Sequence, residues 1–338
     1  MKPSHRGAKP KVVATSRVFP QTRSLIEAHA RFVSSNIEMP LDRHAALEAA
    51  RDADGLMAFM TDRINAGFLA ACPRLKVIGA ALKGYDNIDV DAATHAGVWV
   101  TVVPDLLTTP TAELTIGLML ALGRHIVTAD ATIRAEGFAG WRPRFYGAGI
   151  AQSTVGLVGY GSVGQAIAAR LRAFDCRLLA YDAMRSPQGN GVEPCDMPGL
   201  LAQSDWIVLA TPLTPATARL IDVEALARVK RGARLVNPAR GSLVDEDAVA
   251  DALASGHLAG YAADVFACED WARADRPPTI PKRLTDPGAP TVLTSHLGSA
   301  VADTRRQIEC AAAGSILEAL AGHPPAGAIN TPRAHRHC

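Results

Sequence analysis

The stretch that decides the fold reads Val155-Gly-Leu-Val-Gly159-Tyr-Gly161-Ser-Val-Gly164. A short apolar run leads into it and a helix-like run, 165–173, leaves it. In a strand–turn–helix unit these glycines have separate tasks. Gly159 permits the tight turn, Gly161 lets the backbone approach a pyrophosphate, and Gly164 allows helix and strand to pack closely. The first helical turn, with Ser162 and Val163, offers unpaired N–H groups and a partial positive charge to phosphate. An acid, Asp182, closes the next apolar run, 21 residues after Gly161. A carboxylate there accepts from both ribose hydroxyls of an adenosine and repels a 2′-phosphate, so the expected cofactor is NAD. Arg185 is a nearby cation that could tolerate such a phosphate, which leaves room for some NADP use.

On the C-terminal side the pattern repeats. Apolar runs at 155–158, 178–181, 206–209, 234–237, 260–264 and 291–294 are mostly separated by helix-like stretches, the signature of a doubly wound parallel sheet. On the N-terminal side, runs at 11–15, 55–59, 77–80 and 99–101 alternate with amphipathic stretches at 45–51 and 66–71, which describes a second, smaller α/β unit. Pro104 breaks the chain between them. After Pro110 one long helix is expected over 111–135, then a loop rich in glycine, arginine and aromatics over 137–149. The Pro- and charge-rich segment 271–290 reads as a surface loop, and a last helix is expected over 301–321.

Composition agrees with this division. At about 100–200 residues per domain, 338 residues make two domains. A chain 48% hydrophobic and 20% charged is globular rather than disordered. Thirty-five Lys and Arg against 33 Asp and Glu leave +2, too little for a surface devoted to nucleic acid or anionic membrane. Six scattered cysteines without a C-x-x-C pair read as reduced thiols, with neither a disulfide framework nor a metal site expected. The polar, basic start has no apolar core of a secretory signal, and the apolar run 114–122 is too short to span a bilayer. A cytoplasmic protein acting on a small molecule is the expectation.

Three ionisable side chains follow three strand-like runs of the second series: Arg240 in Asn237-Pro-Ala-Arg-Gly-Ser242, Glu269 in Asp264-Val-Phe-Ala-Cys-Glu269, and His296 in Ser295-His-Leu-Gly-Ser299. Ligands of open α/β sheets bind at the carboxyl ends of strands. A hydride-transfer site needs a group that titrates near neutrality, a carboxylate to orient it and a cation to hold an anionic substrate; His296, Glu269 and Arg240 are those types. His29, His44, His95, His125 and His257 read as surface or satisfied polar residues.

With these motifs in view, the chain resembles the D-isomer-specific 2-hydroxyacid dehydrogenases over nearly its whole length. The resemblance implies a Rossmann-type NAD-binding domain over 104–296, and a smaller, discontinuous, flavodoxin-like α/β substrate domain made of 1–103 and 297–338, with a cleft between them. It implies that Arg240 binds the substrate anion, that Glu269 pairs with His296, and that His296 is the acid/base. It also places Pro212, Ala239, Asp264 and His296 toward the cofactor. The family is typically a homodimer built through the nucleotide domain.

Several segments are similar to one branch of that family, which oxidises phosphite to phosphate with NAD: 57–60, Ala81-Leu-Lys83-Gly84-Tyr-Asp-Asn87, 102–107, Gly140-Trp-Arg-Pro-Arg-Phe-Tyr146 and 269–277. The branch implies that Met60, Lys83, Gly84, Arg240 and Ser299 serve the substrate, with Tyr85, Trp141 and Tyr146 available to wall the site. Chemistry offers a separate reason. A carboxylate is satisfied by one bidentate arginine, whereas phosphite carries nearly two negative charges and is complemented by a second cation, Lys83. One departure from the branch is Ala267-Cys268, where an acid–Met pair is expected. Two other readings compete: a D-2-hydroxyacid dehydrogenase or glyoxylate/hydroxypyruvate reductase, and an NAD(H)-responsive corepressor-type binding protein.

Overall fold

A computed structural model describes residues 9–35, 41–103 and 105–332; Pro104, where the chain was expected to break, lies outside them. The chain divides into two α/β units, one of 1–107 with 301–338 and one of 108–300.

The first unit holds one parallel sheet of β1 (Lys11–Ala14), β2 (Arg31–Ser34), β3 (Gly55–Ala58), β4 (Val77–Ala80) and β5 (Trp99–Thr101), in the order β2-β1-β3-β4-β5. Every residue of β3 and β4 is buried, as central strands covered on both faces must be. Side-chain caps start the helices between them: Asp42, Asn65 and Asp89 each accept the N–H three residues on, satisfying a donor the helix cannot pair itself. The C-terminal helix Ala302–Leu320 returns to this sheet. Gly79 lets it approach, since a Cβ there would lie 2.6 Å from Ile316.

The second unit holds seven parallel strands: β6 (Thr154–Val158), β7 (Arg177–Tyr181), β8 (Val192–Pro194), β9 (Trp206–Leu209), β10 (Ala233–Asn237), β11 (Leu258–Ala263) and β12 (Thr291–Leu293). Their order, β12-β11-β10-β9-β6-β7-β8, reverses between β6 and β9. That switch point puts a crevice beyond the carboxyl ends of the strands.

Four features differ from expectation. The strands β2 and β8 were not expected; both are sheet edges, partly exposed, without the apolar run that marks a central strand. The expected helix over 111–135 is two helices, Thr108–Gly123 and Ile126–Glu136, bent by 59°. The Gly123 carbonyl accepts the Ala148 N–H at 2.8 Å, and His125 sits in the left-handed region at φ 53°, so the helical ladder stops there. The segment 271–290 carries a one-turn helix, Lys282–Thr285. Finally, the second unit ends at Ala300, so His296–Ser299 stays within it; Gly298 is tied there by the Asp264 carboxylate and the Thr111 hydroxyl. Among the described residues no single helix is long and apolar enough to cross a membrane.

Candidate active site

The turn after β6 is shaped as its glycines require. Gly159 has φ 98°, and a Cβ there would lie 2.5 Å from the Ala210 carbonyl oxygen. A Cβ at Gly164 would lie 2.3 Å from the Gly159 oxygen. Gly161 is different, because a Cβ there would meet nothing within 4 Å. The first two glycines are needed by the protein's own packing, whereas Gly161 faces open space in front of the helix Ser162–Leu171, with Ser162 and Val163 in its first turn. Asp182 follows β7 and accepts the N–H groups of Tyr160 and Met184 at 2.8 and 2.9 Å. Burial opposes ionisation, but those two donors and the Arg185 charge outweigh it and hold the carboxyl below its ordinary value. An anion-binding helix terminus, an open approach and an ionised acid at the next strand end fit an adenine dinucleotide. Pro212 follows β9, exposed, with its carbonyl accepting the Thr217 hydroxyl.

Arg240 and Ala239 lie in the turn after β10. The Asn237 amide donates to the Arg240 carbonyl at 2.8 Å while its oxygen accepts the Ala239 N–H at 3.1 Å, so a buried asparagine sets the turn. Glu269 ends a one-turn 3-10 helix, Ala267–Glu269, after β11. Its Oε1 accepts the Phe266 N–H at 3.0 Å and its Oε2 meets His296 Nδ1 at 3.0 Å. His296 follows β12 with φ 58°, a conformation unusual for a residue with a Cβ. Its N–H donates to the Asp264 carbonyl at 2.8 Å. With Nδ1 engaged by Glu269, Nε2 is the ring atom left for a substrate.

The Asp264 side chain is fully buried and accepts the Thr294 hydroxyl and the N–H groups of Leu297 and Gly298 at 2.6, 2.7 and 2.8 Å. Those bonds hold the left-handed turn that carries His296, so the carboxylate is spent on positioning. Ser299, at the end of that turn, is buried.

In the first unit Lys83 and Gly84 follow β4, and Met60 follows β3 at the rim of the core. Lys83 is half-buried, and burial draws its ammonium below the ordinary value against the pull of Asp105. A further cation escaped the sequence reading. Arg305, on the returning helix, donates to the Ala81 carbonyl at 3.3 Å and lies 6.0 Å over the Phe59 ring. Nothing in the sequence of one polar helix face marks it out, because its partners come from β3 and β4 far earlier in the chain. Trp141 and Tyr146, expected as walls, are 81% and 76% exposed. Tyr85 is exposed as well.

Residues 116–298 match the family model for the D-isomer specific 2-hydroxyacid dehydrogenase, NAD binding domain. The chain is 38% identical over 331 residues to a glyoxylate reductase of Thermofilum pendens, covering 96% of this chain and 95% of that protein. It is 41% identical over 292 residues to the D-3-phosphoglycerate dehydrogenase of Mycobacterium leprae, covering 86% of this chain and 53% of that one. Among solved structures, the TT0316 protein of Thermus thermophilus superposes with TM-score 0.83 at 32% identity, covering 95% of this chain and all of the other. The fold and the site define a dinucleotide-dependent oxidoreductase whose 108–300 unit binds NAD. The chain belongs to the D-isomer-specific 2-hydroxyacid dehydrogenase family.

Proposed function

We propose that this chain oxidises phosphite to phosphate with NAD, the activity of a phosphonate dehydrogenase. The observation that carries the reading is Lys83, a cation held half-buried at the end of β4 in addition to Arg240. A compact dianion is complemented by two cations where a carboxylate is satisfied by one. Arg240 and Lys83 hold the anion. His296 Nε2 takes a proton as a water oxygen bonds to phosphorus, and the P–H bond breaks with its electron pair. NAD, when bound, supplies the hydride acceptor. Glu269 fixes the His296 tautomer and stabilises the imidazolium.

A second reading, reduction of a 2-oxo acid such as glyoxylate or hydroxypyruvate, is the one the relatives support, since a glyoxylate reductase matches over nearly the whole chain. There Arg240 holds the carboxylate and His296 donates a proton to the carbonyl oxygen. Purified protein incubated with NAD⁺ and phosphite decides between them by NADH absorbance. A rise supports phosphite oxidation; no rise, with NADH consumed on adding glyoxylate or hydroxypyruvate, replaces it with the second reading. Under the first, Lys83→Ala raises the phosphite KM about 10–100-fold, the loss of one charge-assisted hydrogen bond, with a smaller change in kcat. Unchanged kinetics refute the assignment of Lys83.

We further propose a homodimer. The helix Ile126–Glu136 buries none of its residues, and with the arm beyond it leaves Ile126, Val127, Ile133, Phe138 and Trp141 exposed. Apolar surface of that extent on a single chain marks an interaction face. Sedimentation should give twice the chain mass, falling to one chain mass in a Phe138→Glu, Trp141→Glu variant. A monomeric wild type contradicts it.

A further inference from the structure

Two buried carboxylates bond the turns that carry Arg240 and Glu269. Glu246 opens the helix Glu246–Ala254 and is 5% exposed. Its Oε1 accepts the Ala267 N–H at 2.8 Å, and its Oε2 is sealed from solvent without a hydrogen-bond partner. Asp270, 4% exposed, sends Oδ2 the other way, to the Ser242 N–H at 2.7 Å. The two bonds cross. Glu246, three residues beyond the 3-10 turn Gly241–Leu243, grips the turn that ends in Glu269, and the residue just beyond Glu269 grips the turn that starts after Arg240. The turns are in direct backbone contact, because a Cβ at Gly241 would fall 1.8 Å from the Phe266 carbonyl carbon.

We propose that Glu246 is a positioning residue that, with Asp270, locks the Arg240 turn to the Glu269 turn and so sets the aim of Glu269 at His296. The inference rests on the reading of Arg240, Glu269 and His296 as the reacting set. Groups facing Glu246 are Asp247 on its own helix, Tyr261 on β11, and Cys268, Glu269 and Asp270 around the second turn. Burial, then the charges of Asp270, Asp247 and Glu269, push the Glu246 carboxyl up to about 7, against the Ala267 N–H. Below that pH Glu246 is a neutral acid that can still accept from Ala267. Above it, a further buried negative charge forms beside Asp270 and Glu269 and is repelled by both.

The test compares Glu246→Ala and Glu246→Gln with wild type on whichever substrate wild type turns over. Glu246→Ala should lower kcat about 10–100-fold, the effect of misplacing a reacting group by an ångström, with NADH affinity unchanged. Glu246→Gln, neutral at every pH and still an acceptor, should restore kcat at pH 6 and lack the decline expected of wild type as pH rises through 7. An unchanged kcat in Glu246→Ala overturns the proposal, as does a Glu246→Gln variant that keeps the wild-type alkaline decline. If Glu246→Ala does not fold, the Glu246→Gln pH profile decides alone. If wild type turns over neither phosphite nor a 2-oxo acid, the function reading fails, and the lock is read from the NMR titration of the His296 ring. Glu246→Ala must then shift it in the same direction as Glu269→Gln, and no shift overturns the proposal.

Discussion

Replacing His296 by alanine should abolish turnover and leave NADH binding intact. In the proposed reaction its Nε2 is the proton acceptor, and acid/base catalysis contributes about 10²–10⁴-fold. Its placement has been built at some cost. The left-handed backbone of a non-glycine residue is worth about 1–3 kcal/mol of strain, and that strain is opposed by three bonds to Asp264. Such a conformation persists only where the surroundings over-determine it. Glu269→Gln should cost less, because an amide oxygen can still accept from Nδ1 but cannot stabilise the imidazolium. Fluorescence titration with NADH separates the roles: affinity within about threefold of wild type is the expected result for His296→Ala. Substantial residual turnover would remove His296 from the reaction.

Gly241→Ala should be the most damaging single methyl group in the second unit's active region. The new Cβ would lie 1.8 Å from the Phe266 carbonyl carbon and 2.0 Å from the Ala267 nitrogen, backbone atoms that cannot swing aside as a side chain can. Overpacking ordinarily costs about 1–3 kcal/mol, and a main-chain clash belongs at the top of that range. For a unit of this size about 1 kcal/mol corresponds to roughly 2–4 °C, so calorimetry should find Tm lower by about 6–12 °C. Activity should fall further than stability, since the two turns forced apart carry Arg240 and Glu269. Gly161→Ala is the control: its Cβ meets nothing within 4 Å, so Tm should hold while NAD binding weakens. Equal Tm values for the two variants contradict this account.

Much of the fold was legible because its signals are local. The run from Val155 to Gly164, the acid at 182 and the buried central strands each announce themselves within a few residues, where apolar pattern and glycine chemistry act. The edge strands β2 and β8 did not, since a half-exposed strand needs no apolar run and its pairing partner, not its composition, makes it a strand. The break at His125 was hidden for a related reason. Its cause is a hydrogen bond from Ala148 to the Gly123 carbonyl, which no helical periodicity contains.

The division of labour among the acids was decided elsewhere. By itself the sequence determined a two-part α/β chain, an NAD-type turn, and an arginine, a glutamate and a histidine at successive strand ends, because residue type and strand order are properties of the chain. Only the tertiary structure decided which carboxylates face outward and which are consumed within. Asp182 and Glu269 are presented, whereas Asp264, Asp270 and Glu246 are buried and each accepts from backbone N–H groups 21 to 34 residues away. An acid's role follows from its solvation and its donors, and both are set by segments that meet only when the sheet has formed.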